Sequence, residues 1–175
     1  MKVSTATIAL GLLSITQAVD MKDYSPAAGV DTDFKAYLQA LYASAETLTA
    51  TTSFTDFFPP DGQLIVLSNV ATGSAQIIAL KQKLLPPNGN KHWNHVPNDA
   101  SVDAETKDFK RFQVLGKIQV TFDGLNCSQA VYKTRFTIAK KNGVLSFATH
   151  SGNLIKYDDF YVNPATSPTN IPCDP

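Results

Sequence analysis

The sequence predicts an α+β domain in which helices gather at the N-terminal side of a long, curved antiparallel sheet. Three observations carry this. Phe34, Tyr37, Leu38, Leu41, Tyr42, Ala45 and Leu48 recur at helical spacing. Beyond residue 90 the period falls to two: Phe112, Val114, Gly116, Ile118, Val120 and Phe122 alternate with Arg111, Gln113, Leu115, Lys117, Gln119 and Thr121. Asn142-Gly143 is a two-residue turn of the kind that folds one strand back on the next.

Taken from the N-terminus, residues 1–18 read as a signal peptide. One charge at Lys2 precedes an apolar run from Ala6 to Ile15, and Thr16-Gln17-Ala18 ends it with a small residue at each position a signal peptidase reads. The run is about half the ~20 residues needed to span a bilayer, so cleavage after Ala18 and a secreted, extracellular chain are expected. Residues 19–30 read as a linker. One amphipathic helix is expected over about 32–49, with Asp31 or Thr32 as N-cap and Asp33 in the first turn. Thr55 to Phe58, before Pro59-Pro60, reads as a single turn. Gln63 to Ala71, with its Leu64-Ile65-Val66-Leu67 run, reads as one buried strand. A second helix follows Gly73-Ser74 with Ile77, Ile78, Leu80, Leu84 and Leu85 on its apolar face, and Pro86-Pro87 stop it.

Within the sheet, Ala130, Tyr132, Thr134, Phe136 and Ile138 share one face. If Asn142 and Gly143 are the central turn residues, Val144 to Tyr157 return antiparallel. Lys141 then opposes Val144, Ile138 opposes Phe147, Phe136 opposes Thr149 and Arg135 opposes His150. That register puts His150 on the surface.

Composition narrows the partners. The 175 residues hold 15 Lys plus Arg against 15 Asp plus Glu, with no basic run longer than Lys140-Lys141. The electrostatic footprint for nucleic acid or an anionic membrane is missing. In an oxidising compartment Cys127 and Cys173, the two cysteines, are expected to pair and to tie the Pro-rich tail, residues 165–175, to the turn near Gly124. Closing such a loop is worth roughly 4 kcal/mol in the chain-entropy model. Asn126-Cys127-Ser128 is the one Asn-X-Ser/Thr acceptor, so Asn126 is the candidate glycosylation site.

The order of long helix, turn, strand, Gly73-led helix, His-bearing strand and three long strands resembles the nuclear transport factor 2-like superfamily, in particular its SnoaL-like branch. Thr72-Gly73-Ser74-Ala75-Gln76-Ile77 looks like the Gly-X-X-X-Ile entry to that family's third helix. His95-Val96-Pro97-Asn98 resembles its His-X-X-Asn, and Ile155 to Pro164 looks like its closing strand and Asn-Pro exit. The resemblance covers about residues 31–164, and the whole chain looks like secreted fungal proteins with this domain. It implies a cone: a curved, antiparallel or mixed sheet wrapped around the N-terminal helix, with an apolar pocket open at one end. Members of the superfamily include polyketide cyclases, scytalone dehydratase, steroid isomerase, limonene epoxide hydrolase and binding modules without chemistry, so fold does not assign function.

On an extended strand Trp93 and His95 share one face and His92, Asn94 and Val96 the other. Trp93 marks its face as the interior, which makes His95 the candidate acid/base. Trp93, Tyr37 and Asn98 are the candidates to position a ligand, although Tyr37 and Tyr42 also fit core. His92 and His95 point to opposite faces, which excludes a shared metal on an unbulged strand. The dehydratase pairs its histidine with a second one on the next strand and with a carboxylate at the end of the first helix. Residues 109–122 contain no His here, and Glu46, near the matching helix end, lies off the apolar stripe and reads as solvated. No inward Asp can be placed. Motifs for zinc, dinucleotide, nucleophilic-serine or dithiol chemistry are missing, so no cofactor is expected.

Two readings follow. One is a secreted pocket protein binding a small apolar molecule or a partner, with a homodimer through the sheet as the compatible oligomer. The other is a cofactor-independent lyase, isomerase or cyclase using His95. The address is directly testable: mass spectrometry of exported protein should find Val19 at its N-terminus, and an intact Met1 on that material removes the signal-peptide reading.

Overall fold

A computed structural model describes residues 19–123, 125–163 and 168–174. The signal-peptide expectation for residues 1–18 lies outside them, as do residues 164–167 between sheet and tail. Eleven elements follow in order: β1 (Ser25–Pro26), α1 (Phe34–Glu46), α2 (Thr52–Thr55), β2 (Gln63–Val66), β3 (Asn69–Thr72), α3 (Gly73–Leu84), β4 (Lys91–Glu105), β5 (Phe109–Phe122), β6 (Ser128–Lys141), β7 (Val144–Leu145) and β8 (Leu154–Asn163). The strands form one mixed sheet in the order β1-β4-β5-β6-β8-β2-β3, with β7 paired to β6. The β4-β5, β5-β6 and β6-β8 pairs are antiparallel, whereas β1-β4 and β2-β8 are parallel. This is the curved α+β sheet around an N-terminal helix that the sequence predicts.

Its curvature has local causes. Register shifts fall between Pro97 and Ala100 and between Val102 and Ala104 in β4, and at Lys133/Thr134 and Thr137/Ile138 where β6 meets β8. Each extra residue bends its strand and adds twist. The sheet curves over one face of α1, where Phe34, Tyr37, Leu38, Leu41, Tyr42 and Ala45 are buried. Phe34 stacks on Phe112 at 4.0 Å between ring centroids and meets Phe136 edge-on at 6.2 Å. The first two turns of α1 therefore fill the cone with aromatic rings.

Several expectations change in detail. The helix begins after Asp33, which is its N-cap but makes no side-chain cap hydrogen bond. Asp31 is engaged elsewhere: its carboxylate takes a hydrogen bond from Lys110 Nζ at 2.6 Å. Within residues 19–30 Val19 and Met21 are buried and β1 pairs with β4. The short turn of helix starts at Thr52, three residues earlier than expected. Gln63 to Ala71 is a hairpin rather than one strand, because Leu67 takes a positive φ of 54° and turns the chain between β2 and β3.

The Asn142-Gly143 turn forms, both residues having positive φ (53° and 77°), and Lys141 opposes Val144. Beyond Leu145 the predicted register fails. Residues 146–153 leave the sheet, and β8 returns so that Ile138 opposes Leu154, Phe136 opposes Tyr157 and Arg135 opposes Asp158. Phe147 packs the excursion onto Phe34, Tyr37 and Phe112, and polar contacts hold it as well. Buried Asn153 accepts the Tyr37 hydroxyl at 2.9 Å and donates Nδ2 to Ser146 O at 2.6 Å. His150 is exposed, as expected, and lies against Phe57.

On the outer face charges are paired in place. Arg111 and Arg135 share Asp103, and Lys117 meets Asp174 at 2.6 Å. The tail reaches that face through Cys127 and Cys173, which lie at disulfide-bonding distance with Cα atoms 5.1 Å apart. Cys127 and Ile171 exchange backbone hydrogen bonds at 2.8 and 2.9 Å. Asn126 is exposed beside them.

Gly116 in β5 allows a close approach that any side chain would block. A Cβ there would sit 2.5 Å from the Tyr132 hydroxyl and 2.7 Å from the Val96 carbonyl oxygen. Gly116→Ala is expected to lower stability by roughly 1–3 kcal/mol, as overpacked interiors do, read by chemical denaturation; an unchanged midpoint would show that Tyr132 yields freely.

Candidate functional site

The last turn of α1 leaves the aromatic half of the cone and faces a cavity of about 440 Å³. Ala45 of α1, Lys81 and Leu84 of α3, Trp93 and His95 of β4, Ile118 and Val120 of β5, Tyr132 of β6, and Tyr157 and Asp159 of β8 line it. Most of that wall is apolar. Its polar groups are therefore few, and desolvation governs how each behaves.

His95 is buried among them and shares the inward face with Trp93, as the strand alternation predicts. Glu46, the final residue of α1, reaches it. One carboxylate oxygen of Glu46 accepts the His95 backbone N–H at 2.6 Å and lies 2.8 Å from His95 Nδ1. A carboxylate oxygen can only accept here, so Nδ1 carries the proton and Nε2 is the nitrogen left for a ligand. Tyr42 clamps the imidazole from the side, stacked at 4.2 Å and within 7° of parallel. Its hydroxyl donates to the Tyr132 hydroxyl at 3.1 Å. Burial raises the pKa of Tyr42, Tyr132 and Tyr157 well above that of a free phenol, so all three remain protonated hydrogen-bonding groups.

Asp159 is a second acid in the same wall. Desolvation pushes its carboxyl up to about 6, against an opposing hydrogen bond from Thr134 and the nearby His95. The Thr134 hydroxyl donates to it. A carboxyl near 6 is part neutral at neutral pH, so this cavity offers a proton donor as well as a base.

The sequence-derived site is thus redistributed. His95 and Trp93 are in the cavity. Tyr37 is not: it packs at the other end of α1 against Phe57, 5.4 Å between ring centroids, with its hydroxyl on Asn153. Asn98 is exposed and outside the cavity, because the Pro97/Ala100 bulge follows directly on His95-Val96 and re-aims the strand. His92 turns outward and meets Asp123, and among the described residues no cluster of metal-ligating side chains forms. Glu46 is not solvated, since its side chain turns across the helix end onto β4. Asp159 was missed because an uninterrupted hairpin gives the wrong partners for β8. One signal was available: Thr134 stands in the inward apolar row of β6, and a buried hydroxyl there requires a polar partner on the neighbouring strand.

No family model and no curated protein matches this chain. Solved structures do. It resembles Aln2 from Streptomyces sp. (TM-score 0.56, 13% identity, 77% of this chain and 93% of that one). It also resembles a provisionally named scytalone dehydratase from Novosphingobium aromaticivorans (TM-score 0.52, 11% identity, 82% and 94%). The Orange Carotenoid Protein of Anabaena (Nostoc) sp., binding canthaxanthin, matches at TM-score 0.50 and 15% identity over 98% of this chain. The chain spans less than half the length of that protein, 46%. These likenesses, with the curved sheet around α1, give the fold as a nuclear transport factor 2-like cone.

The raised Asp159 pKa makes a stability prediction with a definite sign. The folded state holds this proton more tightly than the unfolded chain, whose carboxyl keeps its ordinary value of 3.8. Stability from this group is full below about 3.8 and is lost as pH rises through about 6. Asp159→Asn should therefore be more stable than wild type above pH ~7, by up to about 3 kcal/mol. The gain should fade towards pH ~4, as urea denaturation across that window will read. A constant difference at every pH would place the cause elsewhere.

Proposed function

We propose that the chain is a cofactor-independent acid/base enzyme of the lyase, isomerase or cyclase kind, acting on a small polyketide-like or aromatic molecule held in the cone. The observation that carries this reading is the Glu46 oxygen on His95 Nδ1 at 2.8 Å, beside an apolar cavity that also holds Asp159. An imidazole with its proton fixed on one nitrogen presents the other as a base, and a carboxylate behind it stabilises the imidazolium formed on proton uptake.

In the proposed cycle, His95 Nε2 takes a proton from a carbon next to a carbonyl. The electron pair passes to that carbonyl as an enol or enolate, and the neutral form of Asp159 returns a proton to a departing or developing oxygen. The hydroxyl of Tyr132 orients an oxygen of the substrate, and Trp93 packs on its ring. Keeping water out strengthens each of these interactions. The disulfide-distance cysteine pair, the exposed Asn126 and the lack of any described helix able to cross a membrane support an extracellular setting.

A second reading, binding without turnover, is favoured by the apolar lining and by the likeness to a carotenoid-binding protein. Both readings expect bound aromatic molecules to perturb Trp93 fluorescence, and turnover separates them. Bicyclic β-hydroxyketones offered to the protein should lose water, followed by the absorbance of the conjugated product. His95→Ala should lower that rate by about 10²-fold or more, and Glu46→Gln should lower it while leaving binding in place. If wild type and His95→Ala are equally inert while Trp93 still reports binding, the enzyme reading falls and the binding reading stands.

A further inference from the structure

Lys81 lies on the cavity-facing side of α3 and takes no part in the proton transfers above. It is 2% exposed and lines the cavity. Its ammonium donates to Thr47 O at 2.7 Å and to Leu48 O at 3.4 Å, the carbonyls just past the end of α1. Carbonyls at a helix C-terminus carry partial negative charge and hold a lysine in its cationic form. An ammonium has three N–H donors, and these two acceptors leave one over. No carboxylate pairs with Lys81 among the described residues. Asp31, Asp103, Glu105 and Asp174 are engaged with lysines or arginines, Asp123 with His92, Glu46 with His95, and Asp159, in the same cavity wall, with the Thr134 hydroxyl.

A buried cation without a counter-ion is costly, and the cost is visible in the pKa of Lys81, which desolvation draws below its usual value. Helix capping accounts for two of its donors but not for its place in the wall of an otherwise apolar cavity.

Resting on the reading of the cavity as a ligand site, we infer that Lys81 is an anion anchor and that the natural ligand is an acidic amphiphile: an aromatic or polyketide-like body bearing one carboxylate or enolate oxygen that docks on Lys81. The apolar body then lies against Trp93, Ile118 and Tyr157. A charge-assisted hydrogen bond in a dry wall would select acids over neutral molecules of the same shape.

Isothermal calorimetry with two matched probes, 2-naphthoate and 2-naphthylmethanol, tests this on the full chain. Wild type should bind the carboxylate at least about tenfold more tightly than the alcohol. Lys81→Met should weaken the carboxylate by roughly 10- to 100-fold and the alcohol by less than about threefold, whereas Lys81→Arg should keep the preference. Equal affinity of wild type for the two probes, or no binding of either, overturns the anchor without reference to any variant. So does an equal loss of both probes in a folded Lys81→Met. The preference should persist in His95→Ala, so the failure of catalysis and the failure of the anchor are read separately.

Discussion

One oxygen of Glu46 holds two hydrogens of His95, and the geometry of the open half of the cone depends on it. β4 has no neighbouring strand at His95 on the side away from β5, since β1 reaches only Asp99 and Ala100. Its backbone N–H would otherwise be an orphan at a sheet edge. The carboxylate that satisfies it ends α1, so the same contact fixes where the helix stops, how the edge strand is closed and which nitrogen of the imidazole faces inward. A backbone need and a side-chain orientation are met by one atom.

The cone is divided along α1. Towards its N-terminus Phe34, Phe112, Phe136 and Phe147 interlock. Towards its C-terminus Ala45 replaces an aromatic ring, and Gly116 lets Tyr132 lie across β5 instead of projecting past it. Space appears where side chains shrink. The groups placed in that space are then separated by desolvation rather than by distance: a carboxyl drawn towards neutrality, phenols held protonated and an ammonium whose pKa burial draws down while it donates to helix carbonyls. The proposed chemistry rests on this spread of proton affinities among groups that share one wall.

Periodicity made much of the fold legible. The apolar stripe of α1, the two alternating strands and the Asn142-Gly143 turn are local patterns, and local patterns survive folding. What was not legible came from insertions that leave those patterns intact. The excursion at residues 146–153 displaces the partners of β6 by seven or eight residues, from Phe147 to Leu154 opposite Ile138 and from Thr149 to Tyr157 opposite Phe136, and hides Asp159. The bulge after Pro97 hides the fate of Asn98. Glu46 was misread for a different reason. A helix wheel sorts residues by angle, but at the last turn the axis ends, and a long side chain can bend past it towards a strand the wheel does not contain. Lys81 follows the same rule, since helical spacing cannot announce that two carbonyls of another helix end beside it.

A bond between Cys127 and Cys173, which lie at disulfide-bonding distance, makes β6, β7, the excursion and β8 parts of a single covalent ring that closes behind them. Within the excursion Ala148 to Ser151 are open to solvent. A protease cutting there would leave two chains still joined, each contributing to the cavity wall, with β4 and His95 on one piece and Tyr157 and Asp159 on the other. In a protease-rich medium such a molecule could be nicked yet remain assembled, migrating as one species until reduced.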